Sequence, residues 1–186
     1  MRTKDLDKQT RIKDAMIKLI LKEGIDGISV SKIAKEANVS PATIYIYYKN
    51  KEDMMSEVFS EYAHQTYNYL HSKLNNEMSG EELIDAIIRE IYDFSSEHEE
   101  IFSFVEQCST SPTLQKTVCQ SDCCFDIFDL IHDYQNRGII KKYSDQNMMA
   151  VLFAPVKFMV VNKHSYSDSN ESLNELITML EDMLLY

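Results

Sequence analysis

Tryptophan is absent, and four glycines and three prolines in 186 residues leave little material for tight hairpins. A fold of many short strands is disfavoured from the outset, and helices are expected to carry the chain. Long apolar runs are missing as well. The nearest, MMAVLFAPVKFMVV from Met148 to Val161, falls short of the roughly 18 residues of a membrane span and contains Lys157. It reads as a buried helix, so no membrane partner is expected. The opening MRTKDLDKQTRIKDA is polar throughout, without the apolar run and small-residue cleavage site of a secretion signal, and a cytoplasmic location is expected.

The cysteines, Cys108, Cys119, Cys123 and Cys124, form no CxxC pair and have no second Cys/His pair at zinc-finger distance. Neither a structural metal nor a disulfide is expected; a cytoplasmic cysteine commonly serves as a small buried packing residue. The alternative use of this cluster is a thiol or metal sensor built from Cys119, Cys123 and Cys124 with His132. No Ser/His/Asp order, HExxH, glycine-rich phosphate loop or deaminase-type cluster occurs, so neither an enzyme nor a cofactor is expected.

What the chain does have is a sufficient core, at 44% hydrophobic and 26% charged residues, and a divided charge. Residues 1–51 hold 11 Lys/Arg against 6 Asp/Glu, a net of +5, whereas residues 52–186 hold 8 against 24, a net of −16. A basic head on an acidic body fits a chain whose head alone meets a polyanion; a solvated surface explains the same excess.

Ile12, Ala15, Met16, Leu19 and Ile20 recur at the spacing of a helix with one buried stripe, closed by Gly24 and Gly27. A short second helix starts near Ser29 and buries Val30, Ile33, Ala34 and Ala37. After the Asn38-Val39 turn, Ser40 is an N-cap and Pro41 sits at the first helical position, where its missing N–H is harmless. The third helix lasts about two turns, to Lys49-Asn50-Lys51. Two short helices across a tight turn make a helix-turn-helix. Residues 44–48 read IYIYY. Ile44 and Tyr48 share the buried face, Ala42, Thr43, Ile46 and Tyr47 point away, and Tyr45 lies at the margin. Tyrosine suits such a site, since its ring packs while its hydroxyl reaches a phosphate, and Lys51 adds a cation.

Gly27-x-Ser29-Val30-x-x-Ile33-Ala34-x-x-Ala37-x-Val39-Ser40-x-x-Thr43-Ile44-Tyr45-x-Tyr47-Tyr48-x-Asn50-Lys51-Glu52-Asp53-Met54 resembles the DNA-binding signature of TetR/AcrR-type transcriptional regulators. The resemblance implies an all-α protein with a three-helix helix-turn-helix head over residues 1–51 and a helical effector-binding and dimerisation domain over 52–186. It implies backbone contacts from Ser29, Thr43, Tyr45, Tyr47 and Lys51, and major-groove positions for Ser31, Pro41, Ala42 and Ile46. Lys32 and Lys35 suit phosphates or simply solvate their face. None of the groove-facing positions carries arginine, glutamine or asparagine, so hydrogen-bonded base readout is thin; thymine methyl contact and DNA shape take a larger share.

Beyond residue 51 six helices are expected, over 51–76, 81–97, 98–108, 112–136, 145–164 and 170–185, with no strand. Pro155 is expected to kink or loosen the fifth. Ile91, Phe94, Phe102, Val105, Phe125, Phe128 and Phe158 read as core and, taken together, as the lining of an effector pocket between helices. Val151, Leu152, Leu173, Leu176, Ile177, Leu180 and Leu184 form the apolar stripe of the last two helices; the resemblance implies that they pack against a second copy, placing two reading helices roughly 34–36 Å apart on the duplex. The expected partners are therefore a double-stranded DNA operator, a second copy of the chain and an unknown small-molecule effector. The expected function is a sequence-specific regulator, a repressor released by that effector. A protein-interaction adaptor is the rival from another class, told apart by salt dependence and duplex preference.

Overall fold

The computed structural model describes residues 2–114, 125–166 and 168–186, with side chains from Leu6 onward except at 125 and 126. Helices account for nearly all the regular structure there: α1 Arg2–Glu23, α2 Val30–Glu36, α3 Pro41–Tyr47, α4 Lys51–His71, α5 Gly80–Glu97, α6 Glu99–Ser109, α7 Phe125–Asn136, α8 Asp145–Val161 and α9 Ser169–Leu184. Among the described residues the only β feature is an isolated antiparallel bridge between Ile140 and Leu185. The chain is all-α, as expected. It divides into two compact units, one of residues 1–64 with 100–121 and the other of 65–99 with 122–186.

In the first unit α1 buries Ile12, Ala15, Met16, Leu19 and Ile20, the stripe read from the sequence. Gly24 closes the helix at φ +78°, its amide donating to the Ile20 carbonyl at 2.8 Å, a conformation that costs other residues strain. Gly27 is required for a different reason: a Cβ there would lie 2.4 Å from the Glu23 carbonyl oxygen. Ser29 caps α2 by accepting from the Lys32 amide at 3.3 Å, and Ser40 caps α3 by accepting from Thr43 at 3.2 Å. Between them Asn38 adopts φ +53°, which lets the Val39 amide reach back to the Ala34 carbonyl at 2.9 Å. Arg11 of α1 donates to the Ala37 carbonyl at 3.1 Å, tying the first helix to the end of the second. Met54 and Val58 of α4 join the same core, Lys13 pairs with Glu61, and Tyr62 meets Phe104 of α6 edge-on at 6.0 Å.

The second unit is built on α5, which packs against α8 and α9. Ser79 and Glu82 form a reciprocal capping box at its start, and Leu83, Ile84, Ile87, Ile88 and Ile91 make its buried stripe. The end of the chain is pinned beside α5: the Lys141 amide donates to Leu184 O at 2.8 Å, and a Cβ on Gly80 would lie 2.8 Å from Ile139 and Leu185 side-chain atoms. Helix α4 stops at His71 rather than at 76. The Lys73 and Leu74 amides donate three residues back, which tucks Leu74 into the core, and the Asn75 side chain then accepts from the Glu77 amide to form a turn. Pro155 does not end α8, which runs from Asp145 to Val161. Of the long helix expected over 112–136, residues 112–114 and 125–136 are helical and 115–124 lie outside the described residues.

Candidate DNA-binding surface and effector space

The reading helix is oriented by two anchors. Ile44 and Tyr48 are each 1% exposed, fixing one face of α3 against the head. At 100° per residue, Ile46 falls opposite the midpoint of that pair, with Ala42 one turn before it. Exposure agrees: Ile46 is 76% and Tyr45 56% accessible, and Ser29, Ser31, Pro41 and Ala42 are exposed as well. Thr43 and Tyr47 are half-buried beside them; the Thr43 hydroxyl meets that of Ser40 at 2.9 Å, and the Tyr47 ring lies 6.4 Å from that of Tyr48.

Two of the three lysines expected at this surface, Lys32 and Lys51, are already bonded inside the head. Lys32 Nζ donates to Glu23 Oε2 at 2.6 Å and to Gly27 O at 2.7 Å, and the same bond holds the Glu23 carboxyl below its ordinary pKa. Lys51 Nζ is half-buried and donates to Ile28 O at 3.1 Å and Ile25 O at 3.3 Å. Lys35 and Lys49 are exposed. Lys49, which directly follows the aromatic run, is a cation of this surface that helical spacing does not single out.

An apolar slot lies in the second unit. Tyr67, Leu70 and Leu74 from the end of α4 and the segment after it, Ile87 and Ile91 of α5, Ile127, Phe128 and Ile131 of α7, and Met149, Leu152 and Phe153 of α8 line it. Its free space is close to that of a single water molecule, so an organic ligand enters only if the helices part. Of the expected pocket residues, Ile91 and Phe128 line this slot. Phe94 instead packs between Tyr69 at 5.0 Å and His98 at 4.9 Å. Phe102 and Val105 belong to the core of the first unit. Phe158 is 62% exposed, because Leu152, Val156, Met159 and Val160 hold the buried face of α8 and leave position 158 outside it. The side chain of Phe125 lies outside the described residues.

The stripe expected at a dimer interface is mostly covered within the chain. Leu152, Leu173, Ile177, Leu180 and Leu184 are buried in the unit's own core, and Val151 and Leu176 are half-buried. The large apolar residues left open on α8 and α9 are Phe158, Val161, Met179 and Met183. Helical spacing identified an apolar stripe but not which of two apolar faces turned inward.

Burial pushes the Cys108 thiol up to about 12, which keeps it protonated and unreactive; Cys119, Cys123 and Cys124 lie outside the described residues. His132 Nε2 sits 2.8 Å from Asp145 Oδ1, joining α7 to the start of α8. No group of three or more His, Cys, Asp or Glu fit to hold a metal occurs among the described residues, and no helix among them is long and apolar enough to cross a membrane.

Residues 12–58, the segment that forms this head, match the family model of bacterial regulatory proteins of the tetR family. The chain carries the DNA-binding segment of that family. It is a DNA-binding transcriptional regulator whose head is the helix-turn-helix of α2 and α3. An uncharacterised helix-turn-helix regulator of Haemophilus influenzae is 28% identical over 151 residues, covering 78% of this chain and 77% of the relative. A TetR-family regulator structure from Marinobacter aquaeolei superposes with a TM-score of 0.79 at 22% identity, covering 100% of this chain and 99% of that one. FadR of Bacillus subtilis, crystallised with stearoyl-CoA, has the same fold at a TM-score of 0.68 and 22% identity, covering 92% and 96% of the two chains. The matched segment ends inside α4.

Proposed function

We propose that this regulator is an operator-binding repressor that works in the cytoplasm as a homodimer and is released by an elongated apolar effector. The observation that carries the operator reading is the open face of α3: Ala42, Tyr45 and Ile46 stand free while Ile44 and Tyr48 fix the helix from behind. Residues 1–51 are then the reading domain, with Ser29, Thr43, Tyr45 and Tyr47 against the phosphates. Ser31, Pro41, Ala42 and Ile46 enter the major groove. Lys32 and Lys51 act at the same surface chiefly by holding the loops that present it, with Lys35 and Lys49 supplying mobile charge.

Residues 52–186 form the effector and dimerisation domain. The slot beside Ile91 and Phe128 has apolar walls suited to a hydrocarbon chain, and the likeness to a regulator crystallised with stearoyl-CoA supports a long acyl thioester as the effector class. Parting α5, α7 and α8 around such a chain displaces the end of α4, whose first turns carry Met54 and Val58 into the core of the first unit. An effector that binds the parted form better shifts the population away from the DNA-competent one.

The test is selection of random genomic duplex fragments on the purified protein, then titration of the best fragment at several salt concentrations beside a Tyr45→Ala variant. A near-palindromic winner with a steep salt slope, weakened by the variant, is the expected result. Binding indifferent to sequence, or indifferent to Tyr45, would sink the operator reading.

A further inference from the structure

We infer that Ile46 is the chief specificity-determining residue of the reading helix and that it recognises the 5-methyl group of a thymine in each half-site. The inference rests on the operator-binding reading above. Three observations support it. First, Ile46 stands at the apex of α3, opposite the midpoint of the buried Ile44 and Tyr48, and at 76% exposure it is the most accessible of the large apolar residues on the reading helix. Second, its neighbours on that face are Ala42 one turn before it and Tyr45 at the margin, both exposed, so the apex is an apolar ridge rather than one stray side chain. Third, two hydroxyls at the start of the helix are already engaged: Ser40 and Thr43 bond each other at 2.9 Å and Ser40 also caps the Thr43 amide.

Base edges in the major groove offer acceptors, donors and, at thymine alone, a methyl group. A ridge of Ala42 and Ile46 can satisfy neither donor nor acceptor, and pressing it against a polar base edge would strip that edge of water without replacement. Thymine is therefore the base that gains from the contact, and cytosine at the same position loses it while keeping the same ring. Burying one methyl against the branched Ile46 side chain corresponds to about a fourfold change in affinity. The identity of the remaining bases is left to phosphate geometry and duplex shape, so the operator is expected to be rich in A·T pairs at the apex positions.

The experiment uses the full chain and the operator obtained by selection. Each thymine of one half-site is replaced in turn by deoxyuridine, which removes the methyl group and leaves the pairing edge intact, and affinities are measured for the wild type and for Ile46→Ala. At one position the wild type is expected to bind the deoxyuridine duplex about fourfold more weakly, whereas Ile46→Ala binds both duplexes alike. A cytosine placed there is expected to be improved by 5-methylation for the wild type alone. Ile46 is exposed, so the variant should fold; Ile46→Leu, which keeps an apolar tip, checks this by retaining part of the discrimination. An operator whose affinity ignores every deoxyuridine, or whose methyl dependence survives Ile46→Ala, overturns the inference and leaves operator binding standing. Failure to enrich any duplex overturns both.

Discussion

Lys51 donates its ammonium to the carbonyl oxygen of Ile28 at 3.1 Å, binding the first turn of α4 to the residue just before the cap of α2. A second bond reaches Ile25 at 3.3 Å, so one cation holds both ends of the loop that leads into the helix-turn-helix. Hydrogen bonds from a charged donor contribute about 1.5–3 kcal/mol each where water is kept away, and Lys51 is only half-buried.

Lys51→Ala is accordingly expected to cost about 1–2 kcal/mol of stability, seen as a melting temperature lower by a few degrees. Operator affinity should fall in step, with the salt slope nearly unchanged. A variant that melts like the wild type but loses about one charge from the salt slope would instead make Lys51 a simple phosphate contact.

Tyr48 supplies a prediction with a definite pH window. An unfolded tyrosine ionises near 10.0, whereas burial holds Tyr48 up to about 12 in the folded head. Between those values the unfolded chain has released a proton that the folded one keeps, so the contribution is fully present below pH 10 and is lost as pH rises through about 12. Tyr62 and Tyr69 are also raised by burial, but they are common to a comparison with Tyr48→Phe. Urea denaturation at pH 8 and pH 11 should show the wild type losing about 1–2 kcal/mol more than Tyr48→Phe. Equal losses would mean that the hydroxyl reaches solvent.

How much of this was legible beforehand depends on whether one face or two compete for the core. In the head, capping by Ser29 and Ser40, proline at the start of α3, and burial of Ile33, Ala34, Ala37, Ile44 and Tyr48 follow from local rules with one apolar face per helix, whereas Val30, expected in the core, is half-buried. Helix α8 defeats the same method. It is apolar almost all round, and periodicity does not say that Leu152 and Val156 turn inward while Phe158 turns out. The partners of Lys32 and Lys51 were illegible for another reason, since their acceptors are a carboxylate nine positions away and loop carbonyls whose direction no spacing rule encodes.

Phe158 and Met179 are each 62% exposed, and Val161 and Met183 are open on the same two helices. Exposed apolar residues gathered on adjoining helices mark an association surface. The wild type is expected to sediment as a dimer and a Phe158→Glu, Met179→Glu double variant as a monomer, with unchanged helical content and operator affinity at least tenfold weaker. Dimers that persist would move the self-association surface elsewhere on the chain.

Met149 lies on the wall of the apolar slot and is half-buried, which makes it the position most able to accept a larger ring without breaking the core. Met149→Phe should occupy the little space that remains and raise the cost of parting α5, α7 and α8. The measurement is release of a fluorescent operator duplex by stearoyl-CoA. For the wild type, release is expected as the acyl thioester is added, whereas the variant should hold the duplex at concentrations at least tenfold higher. Its operator affinity without ligand should match or slightly exceed that of the wild type, because filling the slot favours the closed form. A wild type indifferent to acyl thioesters would remove that effector class. A variant released as easily as the wild type would place the ligand outside the slot lined by Ile91 and Phe128. The two failures are distinct, since the first concerns the chemistry of the ligand and the second its location.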